Sequence, residues 1–141
     1  MHEPTVSVIV PVYNEEENVP ILQAELRAAL RAIDHEVIFV DDGSADHTVE
    51  RIEAAPNLRV IRFEKNAGQS AAMYAGLQAA RGAVLVLIDG DLQNDPADIP
   101  KLLSEISSGA DLVCGYRALR RDTRAKRITR RFGAASIRST V

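Results

Sequence analysis

The stretch Val84-Leu85-Val86-Leu87-Ile88-Asp89-Gly90-Asp91-Leu92-Gln93-Asn94-Asp95-Pro96 decides how the chain is read. Five apolar residues, three of them β-branched, run straight into two aspartates separated by one glycine. An apolar run of that length, closed by a turn signal, predicts a strand buried on both faces, as in a parallel sheet. Such strands end at a crevice, and ligands gather at their carboxyl ends. Two neighbouring carboxylates there repel each other and resist desolvation. A hard divalent cation removes the conflict, because Mg2+ and Mn2+ favour carboxylate and phosphate oxygens. Gly90 lets the backbone come close to a ligand. Without its surroundings, the same stretch is equally an ordinary Asp-rich turn.

Outward from it, strand and helix patterns alternate. Val6-Ser7-Val8-Ile9-Val10-Pro11-Val12 predicts a first strand that ends near Pro11, which has no N–H for a ladder. Asn14 with Glu17 three residues on has the form of a capping box. Val19, Leu22, Leu26, Leu30 and Ile33 continue it as an amphipathic helix over 15–33. A second strand, 36–40, runs into Asp41-Asp42-Gly43-Ser44, and a helix over 46–54 follows until Pro56-Asn57 breaks it. Next come a strand over 58–63, a loop over 64–69 and a small-residue helix over 70–81, with Gly82 as its stop. Asp95 as cap and Pro96 as first residue open a helix over 96–107, and 111–115 reads as a fifth strand. The order βαβαβαβαβ belongs to an α/β domain with a mainly parallel central sheet and helices on both faces.

The whole chain sets bounds on this reading. Its 141 residues suit one domain with a real core, and 46% hydrophobic with 26% charged residues is ordinary for a globular protein. A single cysteine, Cys114, excludes an internal disulfide and a Cys-built zinc site, and His2, His35 and His47 show no ligand spacing. No apolar run approaches the roughly 20 residues that span a bilayer, and Val6 to Val12 lacks the basic flank of a signal peptide, so the chain reads as cytoplasmic. Its charge is uneven. Residues 1–116 hold 8 basic and 19 acidic side chains, whereas 117–141 hold 9 basic and 1 acidic. A basic tail on an acidic body suggests phosphate, nucleic acid or an anionic membrane surface as a partner, or simply a solvated basic helix.

Three strands deliver polar clusters to what should be one edge of the sheet: Pro11-Val12-Tyr13-Asn14-Glu15, Asp41-Asp42-Gly43-Ser44 and Asp89-Gly90-Asp91. That convergence is the physical case for a site. No G-x-G-x-x-G follows the first strand and no P-loop pattern occurs, so the phosphates of a nucleotide would be held by metal rather than by a glycine cradle. Together with Asn66-Ala67-Gly68, Leu92-Gln93 and Gly115-Tyr116-Arg117, these motifs in this order resemble the family 2 glycosyltransferases. Within them the chain looks most like the polyprenyl- and dolichyl-phosphate sugar transferases, over nearly all of residues 5–121.

The resemblance implies a GT-A nucleotide-sugar-binding fold and an inverting hexosyl transfer. The donor would be a UDP- or GDP-sugar, the cofactor Mg2+ or Mn2+, and the acceptor a polyprenyl phosphate in cell-envelope synthesis, with no nucleic-acid partner. It assigns Pro11, Tyr13 and Glu15 to the nucleoside pocket. It gives Asp42 to the base with Val40 beside it, Asp89 to the ribose and diphosphate side, and Asp91 to the metal of this DXD motif, with Asp89 beside it. Gly90 and Gln93 would border the pocket, and Arg117 and Arg120 would meet donor or acceptor phosphate. Asp91 would act in the chemistry only through the metal, and no other catalytic residue is identified. Structural duties compete for several of these: Pro11 as a strand end, Tyr13 as packing, Glu15 as compensation of a helix dipole, Arg117 as an ion-pair partner. On this reading 1–116 is the nucleotide-sugar-binding core. Residues 117–141 are a basic segment beginning an incomplete acceptor region, directed at the inner face of the membrane. Two alternatives are a transferase acting on a sugar hydroxyl, which would need a carboxylate base not visible here, and an inactive nucleotide-binding fragment.

Overall fold

The structure, a computed structural model, describes residues 2–117 and 132–137, with the backbone alone for 115–117 and 132–137. The chain divides into two compact units, Met1–Pro96 and Ala97–Val141. The first is built on a four-stranded sheet of β1 (Val6–Val12), β2 (His35–Asp41), β3 (Leu58–Arg62) and β4 (Val84–Leu87), in the order β3-β2-β1-β4. Every pairing is parallel: Val8 sits opposite Val37 and Val86, and Val37 opposite Leu58. All seven residues of β1 are buried, and successive side chains point to opposite faces, so the sheet is covered on both sides there. Helix α2 (Gln69–Ala79) covers the face carrying Ile9, Ile38 and Val40, with Ala72 in the same cluster. Gly76 permits that approach, since a Cβ on it would lie 2.3 Å from Ile9 Cγ2. Helix α1 (Val19–Leu30) turns Val19, Leu22, Leu26 and Leu30 inward.

Several sequence expectations give way. β4, an outer strand of this sheet, is not buried on both faces: its residues alternate, with Leu85 47% and Leu87 48% exposed, so one of its two faces is the less covered. The helix expected from residue 15 begins at Val19, with Pro20 in its first turn. Asn14 is no cap, because it sits at φ 51° and its Oδ1 accepts from Ala45 N–H. The helix expected over 46–54 shrinks to a single 3-10 turn, Val49–Arg51, since Asp46 and Thr48 spend their side chains on loop bonds instead. Gly82 does not stop α2, which ends at Ala79 with Ala80 extended. It is glycine because a Cβ there would lie 2.6 Å from Ser7 N.

From Pro96 onward, the expected helix splits into a 3-10 turn, Pro96–Asp98, and α3 (Ile99–Ser107), so Asp98 rather than Asp95 stands at the helix start. The fifth strand does not join the parallel sheet. As β5 (Leu112–Arg117) it pairs antiparallel with β6 (Phe132–Ile137), a stretch without a recognisable strand pattern in its residues.

Candidate functional site

The carboxyl ends of β1, β2 and β4, with the start of α2, surround a cleft of about 360 Å³. Parallel alignment puts the tips side by side: Asp42 N–H donates to Val12 O at 2.9 Å, and Ile88 N–H to Ile9 O at 3.1 Å. β1 and the turn after it contribute Pro11, Val12, Tyr13 and Glu15 to the lining, with Tyr13 47% exposed. The turn after β4 contributes Asp89, Gly90 and Asp91. Gly90 packs against β1, where a Cβ would lie 2.7 Å from Val12 Cγ1 and 3.3 Å from Pro11 O. Its lack of a side chain is therefore required by the protein's own close approach, whatever binds. Asp89 Oδ1 accepts from Gln69 Nε2 at 2.7 Å. Asp91 is exposed, and its Oδ1 accepts from Gln93 N–H at 3.0 Å, closing a tight turn over Leu92, which stands at φ 62°. A leucine in the left-handed region is uncommon, and such strain collects at ligand sites.

Asp42 is 4% exposed, and its carboxylate organises the neighbouring loop. Oδ1 accepts from Ala67 N–H at 2.7 Å, and Oδ2 from Gly68 N–H and Asn66 Nδ2, both at 3.0 Å. A carboxylate offers about four acceptor positions, so roughly one is left for a ligand. Asp41, fully buried, closes the 41–44 turn by accepting from Ser44 N–H at 3.2 Å, with Arg62 Nε at 3.9 Å. Glu15 Oε2 accepts from Asn18 Nδ2 at 2.6 Å.

Of the residues singled out from sequence, Pro11, Tyr13, Glu15, Asp42, Asp89, Gly90 and Asp91 come together at this cleft. Val40 does not: it is fully buried in the cluster with Ile9, Ile38 and Ala72. Among the described residues, Gln93 meets the site through its backbone bond to Asp91 and is not part of the lining. The Arg117 side chain and all of Arg120 lie outside the described residues. Gln69 and Ala72 line the cleft without having been singled out. Their only signal was a place at the first turn of a helix that follows a strand.

Among the described residues no group of three or more His, Cys, Asp or Glu side chains is gathered as a metal cage. Asp89 and Asp91 supply two carboxylates on one cleft, and no ion pair engages either among the described residues. That set fits Mg2+ or Mn2+, which is commonly held by one or two carboxylates and completed by substrate phosphates and water.

The profile described as "Glycosyl transferase family 2" matches residues 7–138. The chain is 42% identical, over 124 residues, to the dodecaprenyl-phosphate galacturonate synthase of Rhizobium johnstonii, covering 82% of this chain and 37% of that protein. It is 46% identical, over 125 residues, to the undecaprenyl-phosphate 4-deoxy-4-formamido-L-arabinose transferase of Pectobacterium atrosepticum, covering 84% of this chain and 38% of that one. It thus spans less than two fifths of these relatives' length. Among solved structures, it superposes on the glucosyl-3-phosphoglycerate synthase of Mycobacterium tuberculosis in complex with Mn2+, UDP-glucose and phosphoglyceric acid. That match has a TM-score of 0.63 and 28% identity, and covers 75% of this chain and 40% of that one.

Proposed function

The chain belongs to glycosyl transferase family 2, with the α/β fold of the GT-A transferases, and from that premise we propose that it is the donor-binding part of an inverting transferase that moves a hexose from a nucleotide-diphosphate sugar to a polyprenyl phosphate. The observation that carries this reading is the cleft itself, where Asp89 and Asp91 face Tyr13, Glu15 and Asp42 across three strand tips. The polyprenyl phosphates in the relatives' names and the Mn2+ and UDP-glucose held by the structural neighbour support it.

The chemistry asks for charge stabilisation. Cleaving the bond between sugar and phosphate leaves a nucleoside diphosphate with added negative charge. Asp91, helped by Asp89, would hold the divalent ion, which when bound neutralises that charge. Pro11 and Tyr13 would flank the nucleoside, and the remaining acceptor position on Asp42 would take an N–H of the base. A lipid phosphate brings an oxygen that is already anionic, so the site needs no strong general base. Arg117 and Arg120 would meet donor or acceptor phosphate, while the rest of the basic segment meets the anionic inner leaflet.

Titration calorimetry with UDP, GDP and their sugars, in Mn2+ and in chelator, tests the reading. One nucleotide should bind in Mn2+ and lose its affinity in chelator. Asp91→Asn should weaken that binding by about tenfold or more, as loss of support around a metal does. Unchanged nucleotide affinity in Asp91→Asn, or no binding of either nucleotide by the wild type, overturns it.

A further inference from the structure

Residues 44–48 lie outside the cleft lining, yet their side chains take up three consecutive backbone N–H groups of the segment that lines it. Asn14 N–H donates to Ser44 Oγ at 2.9 Å, Glu15 N–H to Thr48 Oγ1 at 2.9 Å, and Glu16 N–H to Asp46 Oδ2 at 3.3 Å. Two bonds return in the other direction. Ala45 N–H donates to Asn14 Oδ1 at 2.9 Å, and His47 N–H to Glu16 Oε2 at 3.1 Å.

Thr48 is fully buried, and its hydroxyl proton goes to Asp46 Oδ1. A hydroxyl has one proton, so this bond leaves the Thr48 oxygen facing Glu15 N–H as an acceptor. Asp46 thereby sets the polarity of Thr48 and also takes Glu16 N–H directly. Burial pushes the Asp46 carboxyl up, but the Thr48 hydroxyl, Thr48 N–H and Glu16 N–H outweigh it and hold the group below its ordinary value. Asn14, at φ 51°, lies between Tyr13 and Glu15, which both line the cleft. A left-handed residue costs conformational energy that neighbouring bonds must offset. With its N–H, its side chain and the next two N–H groups all tied, the turn has one orientation.

We propose that Asp46 and Thr48 are positioning residues of the nucleotide site, holding Tyr13 and Glu15 in their binding geometry through the backbone of Glu15 and Glu16. The proposal rests on the nucleotide-binding reading of the cleft. Neither residue touches the ligand.

The test uses the 141-residue chain and three variants. Thr48→Val removes the hydroxyl at nearly constant shape, Thr48→Ser restores it, and Ile38→Val is a mild core lesion away from the loop. Two quantities are read: amide hydrogen exchange at Glu15 and Glu16, and the affinity for UDP or GDP in Mn2+. Thr48→Val should speed exchange at Glu15 and weaken nucleotide binding by about tenfold, the equivalent of one lost hydrogen bond. Thr48→Ser should recover both, and Ile38→Val should lower the melting temperature with affinity unchanged. If Thr48→Val binds nucleotide as the wild type does, or if Ile38→Val weakens binding as much as Thr48→Val, the positioning role is overturned. A wild-type chain that binds neither nucleotide overturns the functional reading and the positioning role with it.

Discussion

Glycines mark where backbone meets backbone around the cleft, and their substitutions separate two costs. Gly43 has φ +73°, and a Cβ on it would lie 2.5 Å from both Lys65 C and Asn66 N, which are backbone atoms that cannot move aside cheaply. Gly68 has φ +100° but nothing within 4 Å of the added atom. Gly68→Ala therefore bears conformational strain alone, about 1–2 kcal/mol, and Gly43→Ala adds a clash that displaces the 65–66 backbone. Denaturant unfolding should rank them in that order, with Gly43→Ala the more destabilising; equal losses would mean that the contact with Lys65 and Asn66 relaxes freely. Asp42 makes a related prediction. Its two oxygens take donors from Asn66, Ala67 and Gly68, and an asparagine in its place would turn one of those oxygens into an amide donor facing an N–H group. Asp42→Asn should cost about 1–3 kcal/mol in unfolding free energy and speed amide exchange at Ala67 or Gly68. No change in exchange at either amide would show that the loop holds itself.

At the scale of elements, the end of the sheet remote from the cleft is fastened by a buried charge. Glu36, 2% exposed on β2, accepts from Ser7 Oγ on β1 at 2.7 Å, from Arg59 Nη2 on β3 at 2.8 Å, and from Arg81 N–H and Nη2 before β4 at 2.8 and 3.0 Å. Burial pushes this carboxyl up, but those donors outweigh it and hold it at about 2, against an ordinary 4.5. A carboxyl depressed by folding contributes stability that is complete above its unfolded value and is lost as pH falls through the folded one. Allowing for the partial exposure of both arginines, about 2–3 kcal/mol should disappear between roughly pH 4.5 and 2, visible in urea midpoints across that range. Glu36→Gln should be less stable at neutral pH and should flatten this part of the profile. A wild-type profile level below pH 4.5 would remove the fastening role. Nothing local announces this cluster, because positions 36, 59 and 81 meet only once the strands are paired. The strands themselves were legible, since β-branched runs such as Val6 to Val12 suit nothing else, and so was the gathering of Asp42, Asp89 and Asp91, which follows from parallel order alone. The helix expected over 46–54 failed because Asp46 and Thr48 found better partners across the chain than within a helix. The β5–β6 pairing was hidden because Phe132–Ile137 carries no strand pattern of its own and the pattern of β5 does not encode its partner's direction.

For the whole molecule, charge is divided along the chain: residues 1–116 hold 19 acidic and 8 basic side chains, and 117–141 hold 9 basic and 1 acidic. Among the described residues no helix is long and apolar enough to cross a membrane. The acidic part alone should be repelled by an anionic leaflet, so attraction of this chain to such a surface has to come from the basic segment. Each basic side chain close to the surface is worth about 1 kcal/mol, and the attraction fades within a Debye length of roughly 8 Å at physiological salt. Sedimentation with vesicles should therefore show binding to phosphatidylserine-containing membranes, little binding to neutral phosphatidylcholine, and release at high salt. Replacing Arg120, Arg121, Arg124, Arg127, Arg130 and Arg131 with glutamine leaves the acidic part in control, and binding should fall to the neutral-vesicle level. With Arg120 kept and only the other five replaced, nucleotide affinity in Mn2+ should survive, since among the described residues the cleft is lined from residues 11–91. Vesicle binding that persists in the neutralised chain, or that ignores salt, would place the membrane contact elsewhere and detach the basic segment from acceptor delivery.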